Sequence, residues 1–214
     1  MDIYTNENSD FQVENSKSDA IAKSLIDGIQ NAFDSFIESH NIDDMKTESQ
    51  NVFNAALMYC NFNYISIYRK YLYKYSRGIS NNGYITNEYD YYIIDKLVDY
   101  YIYLCCVYNK VSSIAGFCFL LGLNQDTVQE WGRDNSQRPD AGAIYKKLRF
   151  SYENALENGA QNGKNPVGYI AALNHRFAWN TDNKPALTVN ITRTRDEILN
   201  SVNTALLSDT VENP

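Results

Sequence analysis

The spacing of apolar side chains constrains the fold of this chain more than any other feature of its sequence. Over most of the 214 residues they recur every three to four positions, which is the period of a helix with one buried face. The clearest run follows Ser18 and comprises Ile21, Leu25, Ile29, Phe33, Phe36 and Ile37. Four prolines and ten glycines leave such runs largely uninterrupted, which favours helices over a turn-rich β fold. We therefore predict a mainly α protein of one domain, or of one domain with a sizeable appendage.

The same period predicts the individual helices. They cover 18–40, 47–77, 87–109, 113–121, 125–133, 141–158, 166–177 and 195–207. Ser18 is a suitable N-cap for the first. Near the C-terminus, Ala186–Thr192 alternates apolar and polar residues with period two, which predicts a short β segment.

The charge of the chain is unevenly distributed. The net charge is −7, which taken alone argues against a nucleic-acid partner. Residues 1–63 hold 11 acidic and 3 basic side chains, whereas Arg133–Arg195 holds ten basic and five acidic ones. The acidity therefore belongs to the N-terminal region, and the sequence allows weak, salt-sensitive contact with DNA further along the chain.

Known catalytic signatures do not occur in the sequence. It has no glycine-rich phosphate loop, no Gly-x-Ser-x-Gly and no His-Glu-x-x-His. Its cysteines (Cys60, Cys105, Cys106 and Cys118) show no Cys-x-x-Cys spacing, and it has only two histidines. We predict no enzyme activity, no cofactor, no metal site and buried thiols in a reducing cytosol. The polar N-terminus and the lack of a long apolar run predict no signal peptide and no membrane span, hence an intracellular protein.

Ser113–Trp131 predicts two short helices joined by a tight turn. Gly122 supplies the positive φ that such a turn requires, and Cys118 offers a small side chain where the second helix crosses the first. Leu123 in the turn, with Val128 and Trp131 three residues apart, would anchor the second helix. This pattern is typical of a helix-turn-helix, although an αα-hairpin that only packs against the core has the same pattern.

The second helix of this pair would expose a polar face. Asn124 is placed to cap it by accepting a hydrogen bond from the N–H near Thr127. Glutamine can bind adenine in the major groove, and arginine can bind guanine or phosphate. Asp126 and Glu130 on the same face would repel phosphate. The candidate DNA-binding residues are Asn124, Gln125, Thr127, Gln129 and Arg133.

Tyrosine is concentrated in one part of the chain. Fourteen of the 18 tyrosines lie between Tyr59 and Tyr108, and Tyr64–Arg77 interleaves tyrosines with Arg69, Lys70, Lys74 and Arg77. Basic residues among aromatic rings can bind nucleic acid by charge and stacking. The favoured interpretation is instead a helix or subunit contact in which basic stems cover the rings. The predicted interface residues are Tyr64, Tyr68, Tyr71 and Tyr101.

A second motif is Asn-Pro-Val-Gly-Tyr-Ile-Ala-Ala-Leu-Asn-His-Arg-Phe-Ala-Trp at 165–179. Together with the helix pair and the tyrosine-rich helix before it, this motif resembles the terminase small subunits of tailed bacteriophages. One branch of that family carries Asn-Pro-x-Gly/Ala-x-Ile-x-x-Leu-Lys-Asn-x-Phe-Gly-Trp at this place. The resemblance covers about 90–180. The sequence of this chain departs from the family pattern at Asn174, His175 and Ala178. It matches the pattern at Pro166, Gly168, Ile170, Leu173, Arg176, Phe177 and Trp179.

The resemblance implies a non-catalytic protein of the bacterial host cytoplasm. Such subunits recognise double-stranded phage DNA, assemble as ring-like homo-oligomers, and recruit and regulate the large ATPase–nuclease subunit. It would make the helix-turn-helix the DNA element, the tyrosine-rich helices the subunit interface and the C-terminal β segment an oligomerisation element. Two alternatives remain open. One is a dimeric helix-turn-helix transcription regulator or replication accessory of phage origin, and the other is a structural adaptor without DNA binding.

Five regions follow from these predictions. They are a frayed acidic N-terminus (1–16), an N-terminal helical region (17–88), a helix-turn-helix DNA-recognition region (89–158), a linker with a Pro-initiated helix (159–180), and a strand candidate with a last helix and tail (181–214).

Overall fold

The computed structural model describes residues 5–74, 88–133, 138–163 and 166–179, and within them the fold is mainly helical. The helices are α1 (Thr5–Ser39), α2 (Gln50–Cys60), α3 (Ser66–Tyr68), α4 (Tyr91–Val107), α5 (Ile114–Leu121), α6 (Gln125–Arg133), α7 (Pro139–Asn162) and α8 (Pro166–Phe177). A short antiparallel ladder pairs β1 (Tyr73–Lys74) with β2 (Glu88–Tyr89), with Tyr73 opposite Tyr89. The predicted mainly α class is confirmed. The predicted segments 186–192 and 195–207 lie outside the described residues.

The first helix begins earlier than its apolar period indicates. α1 starts at Thr5, so Ser18 lies inside the helix and is not its N-cap, and the predicted region boundary at 16–17 falls within α1. The apolar stripe marks only the part of the helix that packs against the core. No proline or glycine occurs between Thr5 and Asp27, and the helix therefore continues without a break toward the N-terminus.

The helix predicted over 47–77 is divided into several parts. After α2 the chain forms a π-helical turn at Asn61–Ile65, then the brief α3, and then a 3₁₀ turn at Arg69–Leu72. The apolar period does not reveal this change, because it persists through the insertion of the wider turn. The π-helical turn packs against α5 as well as α1, and it therefore joins the N-terminal helices to the helix pair.

Capping residues explain where several other helices begin. The Ser113 hydroxyl accepts a hydrogen bond from the Gly116 N–H at 3.0 Å at the start of α5. At the start of α4 the Asp90 carboxylate accepts hydrogen bonds from the N–H groups of Tyr92 and Ile93. α7 and α8 each begin with a proline, whose missing N–H costs nothing in the first helical turn.

The main core is formed by α1, α2 and α4, with α5, α6 and α7 packed around them. Its largest fully buried side chains include Tyr101, Phe33, Phe53 and Phe117. The chain divides into two compact units, Met1–Leu173 and Asn174–Pro214, and this core belongs to the first. No helix in the described ranges is long and apolar enough to cross a membrane.

Candidate nucleic-acid interface

The turn between α5 and α6 is built on a left-handed glycine. Gly122 has φ 65° and ψ 32°, so the positive φ predicted for it is observed. The carbonyl oxygen of Cys118 accepts hydrogen bonds from the N–H groups of Gly122 at 2.8 Å and Leu123 at 3.2 Å. A Cβ at Gly122 would lie 2.5 Å from the amide nitrogen of Asn61. Both the conformation and the close approach therefore require glycine. We call Ile114–Arg133 the Gly122 corner.

Apolar side chains fix the corner to the core. Val128 and Trp131 of α6 are buried, as are Leu123 in the turn and Cys118 in α5. The indole of Trp131 meets the rings of Tyr89 and Tyr91 edge-on, with centroids 5.6 and 5.7 Å apart. Burial raises the pKa of the Cys118 thiol to about 11, so the thiol is neutral and packs as a small apolar group. The corner is therefore a rigid platform for α6.

The start of α6 is capped by Asn124, with a different partner from the one predicted. The carboxamide oxygen of Asn124 accepts a hydrogen bond from the Asp126 N–H at 3.0 Å, and not from the N–H near Thr127. Since this oxygen serves the cap, Asn124 has less hydrogen-bonding capacity for a base than was predicted. Asp126 follows in the first turn, where an acidic side chain is favourable to the helix dipole.

Of the remaining candidate DNA-binding residues, Gln125, Gln129 and Arg133 follow one another at four-residue spacing on one face of α6, whereas Thr127 lies on another side of the helix. Gln125 and Arg133 are exposed, whereas Thr127 and Gln129 are half-buried. The guanidinium of Arg133 forms an ion pair with Glu130 on the same helix. The positive charge predicted to contact guanine or phosphate is thus balanced within α6.

The tyrosine segment, Tyr64–Lys74, contacts the Gly122 corner directly. The Arg69 guanidinium donates to the Gly122 carbonyl at 2.6 Å, and the Asn61 amide, just before this segment, donates to the Phe119 carbonyl at 3.1 Å. These pairs are separated by 53 and 58 positions along the chain. No local pattern in the sequence signals contacts over such distances. The joining of the two surfaces, and the part that Asn61 plays in it, therefore emerge only from the fold.

Three tyrosines of this segment form a row, in which the rings of Tyr64 and Tyr68 are tilted and those of Tyr68 and Tyr71 are stacked. The ring centroids of Tyr64 and Tyr68 are 4.7 Å apart, and those of Tyr68 and Tyr71 are 6.4 Å apart. The Lys70 ammonium lies 5.0 Å from the centre of the Tyr71 ring, within the range of a cation–π contact. Tyr64 is tied to α1, since its hydroxyl donates to the Ser24 carbonyl at 2.9 Å. Tyr68 and Tyr71 remain exposed, at 39% and 38%.

Tyr101 is not part of this surface. Its ring is fully buried, and its hydroxyl donates to the Ser113 carbonyl at 2.8 Å. The prediction that Tyr101 contributes to a subunit interface is therefore wrong. A tyrosine that faces inward on a helix can be buried completely when its hydroxyl finds a backbone acceptor, and here the acceptor lies at the start of α5.

Ala178, just after α8, adopts a left-handed conformation with φ 55°. Few non-glycine residues adopt positive φ. This is the position at which the terminase pattern carries glycine.

The thiols and acidic groups show no arrangement for metal binding in the described residues, where no three histidine, cysteine, aspartate or glutamate side chains cluster. Cys60 and Cys105 are buried, and burial raises the pKa of each to about 12. Cys106 is exposed, contrary to the prediction of buried thiols, because it lies on the outer face of α4.

Comparison of the chain with protein-family models, with curated proteins and with solved structures finds no match.

Proposed function

We propose that this protein is a non-catalytic phage genome-packaging subunit of the terminase small subunit type. It recognises double-stranded DNA and, as a ring-like homo-oligomer, recruits and regulates the large ATPase–nuclease subunit. The observation that carries the proposal is the geometry of the Gly122 corner. A left-handed glycine joins two short helices, the second is anchored by Val128 and Trp131, and its opposite face is open to a ligand. These features support a helix-turn-helix, although an αα-hairpin that only packs against the core shares them.

In this proposal α6 is the recognition helix. Gln125 and Gln129 supply carboxamides for adenine, and Arg133 supplies a guanidinium once DNA competes with Glu130 for it. Asp126 and Glu130 repel phosphate and keep the affinity low, so binding has to be measured at low salt.

The conformation of Ala178 bears on the resemblance in the 165–179 motif. The family pattern has glycine at this position, and glycine is the residue that most readily adopts positive φ. Here the chain keeps the left-handed conformation with an alanine in that place. Helices commonly end in a left-handed residue, so this conformation is compatible with the family pattern and is not specific to it.

The oligomer interface is assigned to the exposed part of the tyrosine segment, with the C-terminal β segment as a second element. Aromatic rings are favoured at subunit interfaces because they bury a large area at a low cost in entropy. Tyr68 and Tyr71 meet this description, whereas Tyr64 serves mainly to hold the segment against α1.

Fluorescence anisotropy with a labelled 30-base-pair duplex at about 50 mM salt tests the DNA assignment. The variant Gln129→Ala/Arg133→Ala is expected to bind at least about tenfold more weakly, since a good base contact is worth about 1–3 kcal/mol. The matched control is Lys23→Ala/Gln161→Ala, which removes one amide and one positive charge from exposed positions on α1 and α7. Equal affinities for the two double variants would exclude α6 as the recognition helix.

Native mass spectrometry of the full chain separates packaging from regulation. A stable species well above a dimer supports the packaging subunit, and a dimer that binds DNA supports the regulator or replication accessory.

The ion pair of Glu130 with Arg133 favours a second candidate, the structural adaptor. An α6 face whose charges are balanced internally can also contact a protein. Absence of duplex binding by the wild-type chain at about 50 mM salt would support the adaptor over both DNA-binding candidates.

A further inference from the structure

A cleft of about 440 Å³ lies between the end of α4, the second half of α7 and the start of α8. Its volume is in the range of ligand sites. Half of its lining residues carry an amide or a hydroxyl, among them Asn109, Ser151, Asn154, Asn158, Asn162 and Tyr169. No residue of α6 or of the tyrosine segment lines it, and the DNA-binding proposal leaves it unexplained.

Three asparagines of α7 form a row along this cleft. Asn154, Asn158 and Asn162 are spaced by four residues, so they follow one another on the same face of the helix. All three are exposed, and no hydrogen-bond partner for their side chains occurs in the described part of the chain. Each carboxamide therefore presents a free donor and a free acceptor to the cleft.

The spacing of this row is close to that of an extended peptide. Four residues of α-helix rise about 6 Å, and two residues of an extended chain rise about 6.6–6.8 Å. Successive asparagines therefore meet alternate peptide units of an extended segment. A carboxamide is a suitable partner because its N–H and C=O groups complement the C=O and N–H groups of a main chain.

The described lining of the cleft carries little charge with which to hold an ion. Of the described residues that line it, Lys110 alone is charged. The Lys110 ammonium donates to the carbonyls of Lys46, at 3.1 Å, and Glu48, and is thus held by the backbone that precedes α2. Lys110 therefore has little hydrogen-bonding capacity left for a phosphate or an acidic side chain in the cleft.

The far wall of the cleft is formed by Tyr169 of α8. Its ring lies directly on Gly159, where an added Cβ would be 2.5 Å from the ring. The Gly163 N–H donates to the Gly159 carbonyl at 2.8 Å and closes the end of α7. The ring and the row of amides thus face a common space.

We propose that this cleft binds an extended, uncharged peptide segment of a partner protein through main-chain hydrogen bonds to Asn154, Asn158 and Asn162. Recognition of this kind draws its affinity from main-chain hydrogen bonds and therefore tolerates variation in the side chains of the peptide. The proposal is independent of DNA binding, because it uses no residue of the Gly122 corner.

A display library of eight-residue peptides, selected on the full-length protein, tests the proposal. We expect enrichment of uncharged peptides with varied side chains. A selected peptide should bind Asn158→Ala about tenfold more weakly, which corresponds to one or two lost hydrogen bonds. It should bind Gln161→Ala, a matched loss of an exposed amide on the same helix, with unchanged affinity. N-methylation of alternate peptide units should also weaken binding about tenfold or more.

Three results would overturn the proposal. They are enrichment that is equal on wild type and Asn158→Ala, binding that survives N-methylation, and binding of adenosine or a single-stranded oligonucleotide that Asn158→Ala removes. The last result would assign the same amides to a nucleobase. Circular dichroism of each variant confirms that α7 remains helical, and duplex binding measured in parallel reports separately on the Gly122 corner.

Discussion

Tyrosine serves two opposite purposes in this molecule, shown by Tyr101 of α4 and by Tyr68 of the tyrosine segment. In α4 the ring of Tyr101 is fully buried, and its hydroxyl donates a hydrogen bond to the Ser113 carbonyl. The hydroxyl of Tyr100 donates to the side-chain oxygen of Gln30 at 2.5 Å. In the tyrosine segment, Tyr68 and Tyr71 lie exposed beside Lys70. The difference lies in whether a phenol finds an internal acceptor, and it separates rings that stabilise the fold from rings that are available to a partner.

The surroundings of the two parts also differ in charge. No acidic residue occurs between Glu48 and Glu88, a stretch that includes the whole tyrosine segment. α4 carries Asp95 and Asp99 on its outer side, and both are paired with Lys147 of α7. The tyrosine segment is therefore the more electropositive of the two, and it is also the one in contact with the Gly122 corner through Arg69.

The largest expected difference between the two parts is in stability. Tyr101→Ala should lower the free energy of unfolding by about 3–5 kcal/mol, since it removes a fully buried ring. Tyr68→Ala should change it by no more than about 1 kcal/mol, because its ring is partly in solvent. Urea denaturation followed by circular dichroism measures both. Similar losses for the two variants would mean that the tyrosine segment is part of the core.

For self-association we expect the opposite ranking, with a larger effect from a substitution in the tyrosine segment than from one in α4. Tyr68→Ser is expected to weaken the oligomer by about thirtyfold, corresponding to about 2 kcal/mol for an aromatic residue at the centre of an interface. Tyr103→Ser is the control, because Tyr103 belongs to α4 and is exposed at 60%. Sedimentation velocity over a concentration series measures the association constants. If Tyr103→Ser has the larger effect, the interface lies on α4.

These two parts also show what the sequence can predict. The bounds of α4 to α8 and the positive φ of Gly122 follow from local rules, namely apolar period, caps and turn geometry, and they are found close to where those rules place them. The separation of Tyr101 from Tyr68 does not follow, since it depends on a carbonyl of Ser113 and on a π-helical turn that the period does not reveal. The contact of Arg69 with Gly122 is likewise set by tertiary packing.

The amide row of α7 is visible in the sequence as a four-residue spacing, but its meaning is not. Asparagines at 154, 158 and 162 are equally compatible with an exposed helix face. Their position beside a cleft depends on how α4, α7 and α8 pack, and only the fold reveals it.

Alkaline pH should destabilise the part of the molecule that contains α4. Burial raises the pKa of Tyr101 well above its usual value of 10. Below about pH 10 both folded and unfolded chains keep this proton, and above it only the folded chain does, so the free energy of unfolding falls as pH rises. The slope from this one group is at most about 1.4 kcal/mol per pH unit.

Tyr101→Phe isolates this contribution in urea denaturation at pH 9, 10 and 11. The variant should show a shallower decline than wild type, whereas Tyr68→Phe should decline as wild type does. Some decline remains in Tyr101→Phe, because burial also raises the pKa of Cys60 and Cys105 to about 12. If the free energy of unfolding of Tyr101→Phe falls with pH as steeply as that of wild type, the Tyr101 hydroxyl of the wild-type protein reaches solvent in the folded state.

The smallest effect is expected from the charges on the outer side of α4. The Lys147 ammonium lies 2.5 Å from Asp95 and 2.8 Å from Asp99, but all three side chains are at least one third exposed. Lys147→Met should therefore cost less than about 1 kcal/mol, and the cost should shrink in 1 M salt, where the screening length is about 3 Å. Lys146→Met, the exposed neighbour, controls for the loss of one positive charge. If Lys147→Met costs as much as Tyr101→Ala, α4 is held in place by charge, and the contrast between a buried and an exposed tyrosine region loses its physical basis.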